Sequence, residues 1–201
     1  MTLQVINLRK ILKLMFCDDR ALIKELRTDI RDEISHERGD DGGGGGDFYG
    51  PFCKDAKDHV FEVSDLHSTT AGRIASNSGR ANLYPQLRDG FLLWWDQRRR
   101  WTNAPFQPIA PPKKRYSVPG VDTVVKVDCI LAVRDGREQD HYLYPYWFPQ
   151  PAIIDEAARI GLWLLIEAIP ETDAEQLRVL DVIRGQTFSL DRNPLQGDEP
   201  E

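Results

Sequence analysis

The last third of the chain, residues 119–190, most constrains the fold, because strand and helix patterns alternate there with short turns between them. Alternating apolar residues predict strands over 121–134 and 140–147, which an Asp135-Gly136 hairpin turn joins. An apolar segment over 153–169 predicts a helix, and 177–184 predicts a last strand. Strands on both sides of one helix indicate an α+β domain, in which helices pack on a small mixed sheet.

The first 38 residues predict a helical hairpin that packs on this sheet. Apolar residues recur at helical spacing in two stripes, namely Leu8, Ile11, Leu12 and Met15, and then Leu22, Ile23, Leu26, Ile30 and Ile34. Asp18 or Asp19 can cap the second helix. Because the connection is so short, we expect the two stripes to pack against each other.

Residues 39–50 break the chain with five consecutive glycines, Gly42 to Gly46. A phosphate-binding loop needs a preceding strand, a following helix and usually a lysine, which this segment lacks. We therefore predict a flexible loop between the hairpin and a core domain over 51–190. Within that domain we expect a short strand over 59–63 and a helix over 83–101. The acidic tail, 191–201, is predicted to be disordered.

Composition excludes several classes of protein. A net charge of −6 over 201 residues gives no general attraction to nucleic acid or to an anionic membrane. The longest apolar run, 160–166, is too short to cross a bilayer. Three separated cysteines without a CxxC pair predict reduced thiols in the cytoplasm, with neither a disulfide framework nor a zinc site. Arginine outnumbers lysine about two to one, which is typical of a GC-rich bacterial genome.

Two charged residues interrupt the strand predicted over 121–134. Lys126 and Asp128 share one face, which we expect to be largely buried because both faces of the strand are mostly apolar. Each then needs a partner, since an unpaired buried charge is costly. They are predicted to form a structural ion pair, or Asp128 is bonded to backbone and tyrosine groups, with catalysis as the alternative.

Two further groups are candidate binding residues. Tyr142, Tyr144, Tyr146 and Trp147 could stack on bases or sugars or anchor a protein interface, or they could pack under the 83–101 helix. Arg98, Arg99 and Arg100 could contact phosphates, or they could form a solvated helix end that complements the helix dipole.

The element order over 83–190, together with the segment PGVDTVVKVD, resembles the α-β-β-β-α-β core of restriction-endonuclease-like (PD-(D/E)XK) nucleases. That resemblance implies an acid near one strand start and a D/E-x-K motif on the next strand, which bind Mg²⁺ and activate water. Carried over, Asp122 or Asp128 would bind the metal, Glu138 or Asp140 would be the second acid, and Lys126 would act as a displaced lysine. No lysine follows Glu138 or Asp140 by two residues, so the defining motif is missing.

Two function hypotheses follow. The first is a non-catalytic interaction or scaffold protein on a degenerate nuclease-like core, without a cofactor, that binds a protein and possibly nucleic acid but no membrane. The second is a Mg²⁺-dependent nuclease whose displaced site uses Asp128, Asp140 and Lys126. Convergence of these residues in one open cleft would favour the second.

Overall fold

A computed structural model describes residues 5–37, 48–119 and 123–199. It has an α+β fold, as predicted, in which helices cover both faces of a mixed sheet. The helices are α1 (Leu8–Phe16), α2 (Asp19–Glu37), α3 (Gly50–Val60), α4 (Leu66–Ser76), α5 (Tyr84–Leu92) and α6 (Asp155–Ala168). A π-helical segment, Leu93–Arg98, continues α5. The strands are β1 (Val5–Asn7), β2 (Gln107–Pro108), β3 (Lys114–Ser117), β4 (Val124–Val127), β5 (Leu131–Arg134), β6 (Asp140–Tyr146), β7 (Leu177–Asp181) and β8 (Gln186–Phe188).

The strands form two sheets. The larger has the order β2-β5-β6-β7-β8, and its one parallel pair, β6 and β7, is connected through α6. Asp155 and Glu156 lie in the first turn of α6, where negative charge complements the helix dipole. The smaller sheet has the order β1-β4-β3, with β1 parallel to β4 and β3 antiparallel to it.

The strand predicted over 121–134 is two strands in different sheets. The chain leaves the small sheet after Val127 and enters the large one at Leu131. Cys129, between them, has a φ of +61°, a left-handed conformation that is uncommon for a residue other than glycine. Because neither glycine nor proline marks this break, the apolar alternation runs through it in the sequence.

Each face of the large sheet has its own apolar core. On one face, Tyr144 and Val179 pack with Leu12 of α1 and Leu162 of α6. On the other face, alternate residues of the same strands pack with α3 and α5, and this core includes Phe52, Leu87, Trp94, Val133, Leu143, Trp147 and Leu180. The sheet is therefore the middle layer of three.

Two glycines allow close packing between layers. A Cβ atom on Gly90 would clash with the backbone carbonyl oxygens of Val182 and Ile183, directly after β7. A Cβ atom on Gly161 would lie 3.0 Å from Leu12 Cδ1. Glycine is thus required where α5 approaches the end of β7, and it favours the contact between α1 and α6.

The predicted packing of the two N-terminal stripes is wrong. Leu8 and Leu12 of α1 face α6, because α6 and the sheet offer a larger apolar surface. Ion pairs join α1 to α2, at 2.7 Å between Lys10 and Glu25, 3.1 Å between Lys10 and Asp29, and 2.7 Å between Lys13 and Glu25.

Three other segments differ from expectation or lie beyond it. A strand was expected over 59–63, but residues 59 and 60 are the end of α3. The buried residues Phe52, Ala56 and Val60 of that helix recur at helical spacing, and Pro51 lies in its first turn. The tail expected to be disordered contacts α6 through an ion pair between Arg159 and Glu199, at 3.0 Å. The glycine run lies outside the described residues.

Candidate functional site

A cavity of about 480 Å³ lies where the small sheet, α1 and α2 meet. Strand β4 contributes Lys126 to it, and Asp128 follows directly after the strand end. Helix α1 contributes Arg9 and Lys10. The other lining residues are Val5, Ile6, Asn7, Asp29, Tyr49 and Phe148. This cavity holds the two central residues of the sequence-based hypotheses.

Asp128 is paired with two cations. Arg9 Nη2 donates a hydrogen bond to Asp128 Oδ1, and Lys126 Nζ lies 2.8 Å from Asp128 Oδ2. Burial alone would raise the pKa of Asp128, but the hydrogen bonds and charges of Lys126 and Arg9 outweigh it and lower that pKa. Both carboxylate oxygens are therefore engaged by positive charge.

The ion pair of Lys126 and Asp128 is present, as the sequence indicated, but its burial is uneven. Arg9 is 7% exposed, whereas the Lys126 side chain is 45% exposed. The face of β4 opposite Val125 and Val127 lines a cavity instead of packing on a second layer. Arg9, and not Lys126, is thus the buried cation that needs Asp128.

Arg9 is fixed by its position at the start of α1. Its backbone N–H donates to the Tyr144 hydroxyl at 3.0 Å, and its Nη2 also donates to Asn7 Oδ1 at 3.1 Å. Sequence reasoning missed Arg9, because no local pattern connects it to Asp128, 119 residues away.

The other residues of the nuclease hypothesis do not join Asp128. Asp140 forms a bidentate ion pair with Arg134, at 2.6 and 2.9 Å. Asp140 lies beside Arg134, the last residue of β5, whereas Asp128 precedes Leu131, the first residue of that strand, so the two acids lie towards opposite ends of β5. Glu138 lies in the hairpin turn with its side chain 80% exposed, and Asp122 is outside the described residues. Within residues 5–37, 48–119 and 123–199, no three His, Cys, Asp or Glu side chains gather to hold a metal.

The aromatic segment belongs to the core. Tyr144 and Tyr146 are buried on the α1 and α6 face of the large sheet, and Trp147 is buried on the other face against Phe52. Tyr142 is half-buried on the tyrosine face. Only Trp147 therefore lies in the core that includes α5, where its ring contacts Phe52 of α3, and these buried rings are not a binding surface.

The three arginines after α5 each have a separate structural contact. Arg98 donates to the carbonyl oxygens of Arg184 and Gly185, at 2.8 and 3.3 Å. The Arg99 guanidinium stacks 3.6 Å from the ring centre of Trp95. Arg100 pairs with Asp191 at 2.7 Å. Since their charges point to different neighbours, they do not form the phosphate-binding patch considered above.

Helix α2 presents a second candidate surface, which the sequence indicated only as a buried stripe. Ile23, Leu26 and Ile30 are 50%, 38% and 49% exposed, at spacing i, i+3, i+7. At 3.6 residues per turn, a strip of basic residues lies beside this apolar stripe. The members of this basic strip are Arg20, Lys24, Arg27 and Arg31, and all are exposed. The acidic side of α2, with Glu25 and Asp29, faces α1.

Comparison with known proteins adds no relative. A scan of protein-family models and searches of curated proteins and solved structures found no match to this chain. Among the described residues, no helix is long and apolar enough to cross a membrane.

Proposed function

We propose that this chain is a non-catalytic interaction protein, cytoplasmic as its reduced thiols suggest, and that α2 docks into an apolar groove bordered by acidic side chains on a partner protein. The observation that supports this role is the exposure of Ile23, Leu26 and Ile30 on a helix whose other side is held by Lys10 and Lys13. Aliphatic anchors at i, i+3 and i+7 are the pattern that groove-binding helices use.

The ion pairs with α1 favour display of the stripe over its burial. In proteins, most of the stability of a helix comes from its contacts with the rest of the chain rather than from intrinsic helix propensity. Lys10 and Lys13 fix its acidic side, and the apolar stripe stays exposed within the part of the chain that the structure describes. The helix is thereby ordered before binding, which lowers the entropic cost of association.

The basic strip determines the kind of partner. If two copies paired antiparallel through the apolar stripe, their two basic strips would face each other. If they paired in parallel, the basic strip of one copy would face the acidic side of the other copy, which α1 already contacts. The net charge of −6 opposes binding to an anionic membrane, and the exposed stripe carries no aromatic residue. An acidic rim on a protein groove complements Arg20, Lys24, Arg27 and Arg31.

Site-specific crosslinking followed by titration tests this proposal. A photoreactive residue at Ile23 of the full chain should trap a protein in an extract of the source cells, and the same residue at Val63, which is 72% exposed elsewhere, should not. The trapped protein is then purified and titrated. We expect Ile23→Glu together with Ile30→Glu to weaken its binding by about 100-fold, because buried apolar anchors dominate such interfaces.

The matched control is Val63→Glu, which should bind as wild type, and wild-type affinity should fall with added salt. Binding that both variants retain would contradict the proposal. Self-association of the protein through α2, or its binding to phosphatidylglycerol vesicles, would also contradict it.

The nuclease hypothesis keeps one supporting observation, which is that Lys126 and Asp128 lie together at an open cavity. Mg²⁺ would be needed there, and nucleic acid would be the substrate. Asp140 pairs with Arg134, the last residue of β5, and Arg9 and Lys126 engage both oxygens of Asp128. We therefore expect no metal-dependent cleavage of DNA or RNA. Cleavage by wild type that Asp128→Ala abolishes would favour the nuclease instead.

A further inference from the structure

Positive charge collects on the outer face of the small sheet, beside the cavity described above. Asn7 of β1, Lys126 of β4 and Arg115 of β3 are directly paired across the three strands, so they lie in one row on the same face. A second cavity, of about 220 Å³, borders Lys126, Arg115 and Asp128. Because the two cavities share Lys126 and Asp128, this row lies at the boundary between them.

The cations of this row lack sufficient counter-charge. Arg115 and Lys126 face each other across an antiparallel pair of strands, where like charges repel and destabilise the sheet. Arg115 is exposed and forms no ion pair with a described residue. Lys126 and Arg9 share the carboxylate of Asp128. Three cations therefore face one anion, which leaves two positive charges uncompensated within the part of the chain that the structure describes.

The remaining charges around the two cavities do not change this balance. Asp29 is engaged by Lys10, at 3.1 Å, and Lys114 is paired with Glu171, at 2.6 Å. Lys113 adds one more exposed cation beside Arg115. This edge of the small sheet is thus electropositive in a chain whose net charge is −6.

The start of α1 adds to the attraction for an anion. Asn7 is the N-cap residue and lines the larger cavity, but its side chain makes no capping hydrogen bond. The first turn of a helix carries partial positive charge, which favours a bound anion. Beside it, Arg9 is 7% exposed, and its Nη1 has no hydrogen-bond partner among the described residues. Since a buried donor without an acceptor is uncommon, an acceptor from outside the chain is favoured at this edge.

The larger cavity has an apolar wall as well as this charged edge. Val5, Ile6 and Phe148 line it, and Val5 is 43% exposed. Its volume of about 480 Å³ lies within the range of about 300–1,000 Å³ that is usual for small-molecule sites. A single inorganic ion would leave most of that space empty, so the cavity favours an anion that carries an organic group.

We propose that this edge of the small sheet binds a small organic phosphate monoester. The phosphate lies between Lys126 and Arg115, and the organic group extends along the apolar wall of the larger cavity. A phosphate monoester carries about 1.5 to 2 negative charges at pH 7, which matches the two uncompensated cations. A phosphodiester supplies only one charge, and a divalent cation would meet an excess of positive charge. Arginine and lysine are also the side chains that bind phosphate most strongly in proteins.

Calorimetric titration of the full chain with phenyl phosphate tests this inference. Wild type should bind it, and Lys126→Gln and Arg115→Gln should each weaken binding about tenfold or more, because each loses a charge-assisted hydrogen bond. Arg137→Gln, which removes the same charge in the exposed turn after β5, is the matched control and should bind as wild type. Inorganic phosphate, which lacks the organic group, and dimethyl phosphate, a diester with one charge, should each bind more weakly than phenyl phosphate.

Thermal denaturation of the same variants separates a binding role from a structural one. Arg115→Gln removes one of two opposed like charges, so its melting temperature should be no lower than that of wild type, and a lower value would overturn the assignment of Arg115 to the site. Absence of phenyl phosphate binding by wild type would overturn the whole inference, as would an equal loss of affinity in Arg137→Gln. Dimethyl phosphate that binds as tightly as phenyl phosphate would also contradict it, because a site for diesters would indicate a nucleic-acid backbone.

Discussion

Lys126 and Asp128 are close in sequence, but their environments give them unequal weight. Asp128 is the counter-charge of Arg9, which is almost fully buried, whereas Lys126 is half-exposed. Breaking a buried pair from one side leaves an uncompensated charge, while an exposed pair contributes little. Asp128 therefore stabilises the fold mainly through its pair with Arg9 of α1 rather than through its pair with Lys126 of β4.

We expect Asp128→Asn to lower the free energy of unfolding by about 2–4 kcal/mol, because it leaves the Arg9 guanidinium without its counter-charge. Lys126→Met should lower it by less than about 1 kcal/mol, because the Lys126 side chain remains largely solvated. Urea denaturation of the two variants beside wild type measures both effects. Equal losses in the two variants would contradict the assignment of Arg9 as the main partner.

The environment of Asp135 predicts how the free energy of unfolding depends on pH. Burial favours its protonated form, but hydrogen bonds from the Arg137 and Gln139 N–H groups, from Asn103 and from His141 outweigh burial and lower the pKa of Asp135 to about 2. Between about pH 4 and pH 2 the unfolded chain binds a proton that the folded chain does not, so stability falls as pH decreases. Burial also lowers the pKa of His141. As the pH decreases, His141 therefore binds a proton in the unfolded chain before it does so in the folded chain, and stability begins to fall below about pH 6.5.

The free energy of unfolding, measured by urea denaturation from pH 7 to pH 2, checks this dependence. The Asp135→Asn variant should show a shallower fall than wild type below pH 4, since its side chain does not titrate. A wild-type curve that is flat between pH 4 and pH 2 would contradict the burial and bonding of Asp135.

At the scale of elements, glycine at position 90 determines how closely α5 approaches the end of β7. We expect Gly90→Ala to destabilise by about 3 kcal/mol or more, since the added methyl would meet the backbone carbonyls of Val182 and Ile183 rather than a movable side chain. The matched control is Gly72→Ala in α4, where no atom lies within 4 Å of the added carbon. That change should stabilise by about 0.5–1 kcal/mol, because alanine favours helix. Thermal denaturation that ranks the two variants in the opposite order would refute this packing.

The sequence predicted most elements but not their partners. Periodicity alone was sufficient for α2, α6 and β6, because each repeats apolar residues over several turns or alternations. It did not show which surface the α1 stripe covers, since Leu8 and Leu12 would fit α2 or α6 equally well in the sequence. Nor did it show the break at Cys129, where a residue with a side chain adopts a left-handed backbone conformation without any glycine.

At the scale of the whole molecule, the order of the predicted elements indicated the class of fold but not the site. An α+β core follows from the order of strands and helices after residue 119. The cavity depends on Arg9 and Asp128, which only the completed fold brings together. The overall negative charge likewise gives no sign of the basic strip on α2, where Glu25 and Asp29 face α1.

Whether Asp128 is a structural counter-charge or a metal ligand separates the two function hypotheses. Titration of Mn²⁺ into wild type and Asp128→Ala, followed by the electron paramagnetic resonance signal of the free ion, measures this directly. Because Arg9 and Lys126 engage both oxygens of Asp128, we expect the two proteins to leave the same amount of Mn²⁺ free at every concentration. A Mn²⁺ site that is present in wild type and lost in Asp128→Ala would contradict a non-catalytic role.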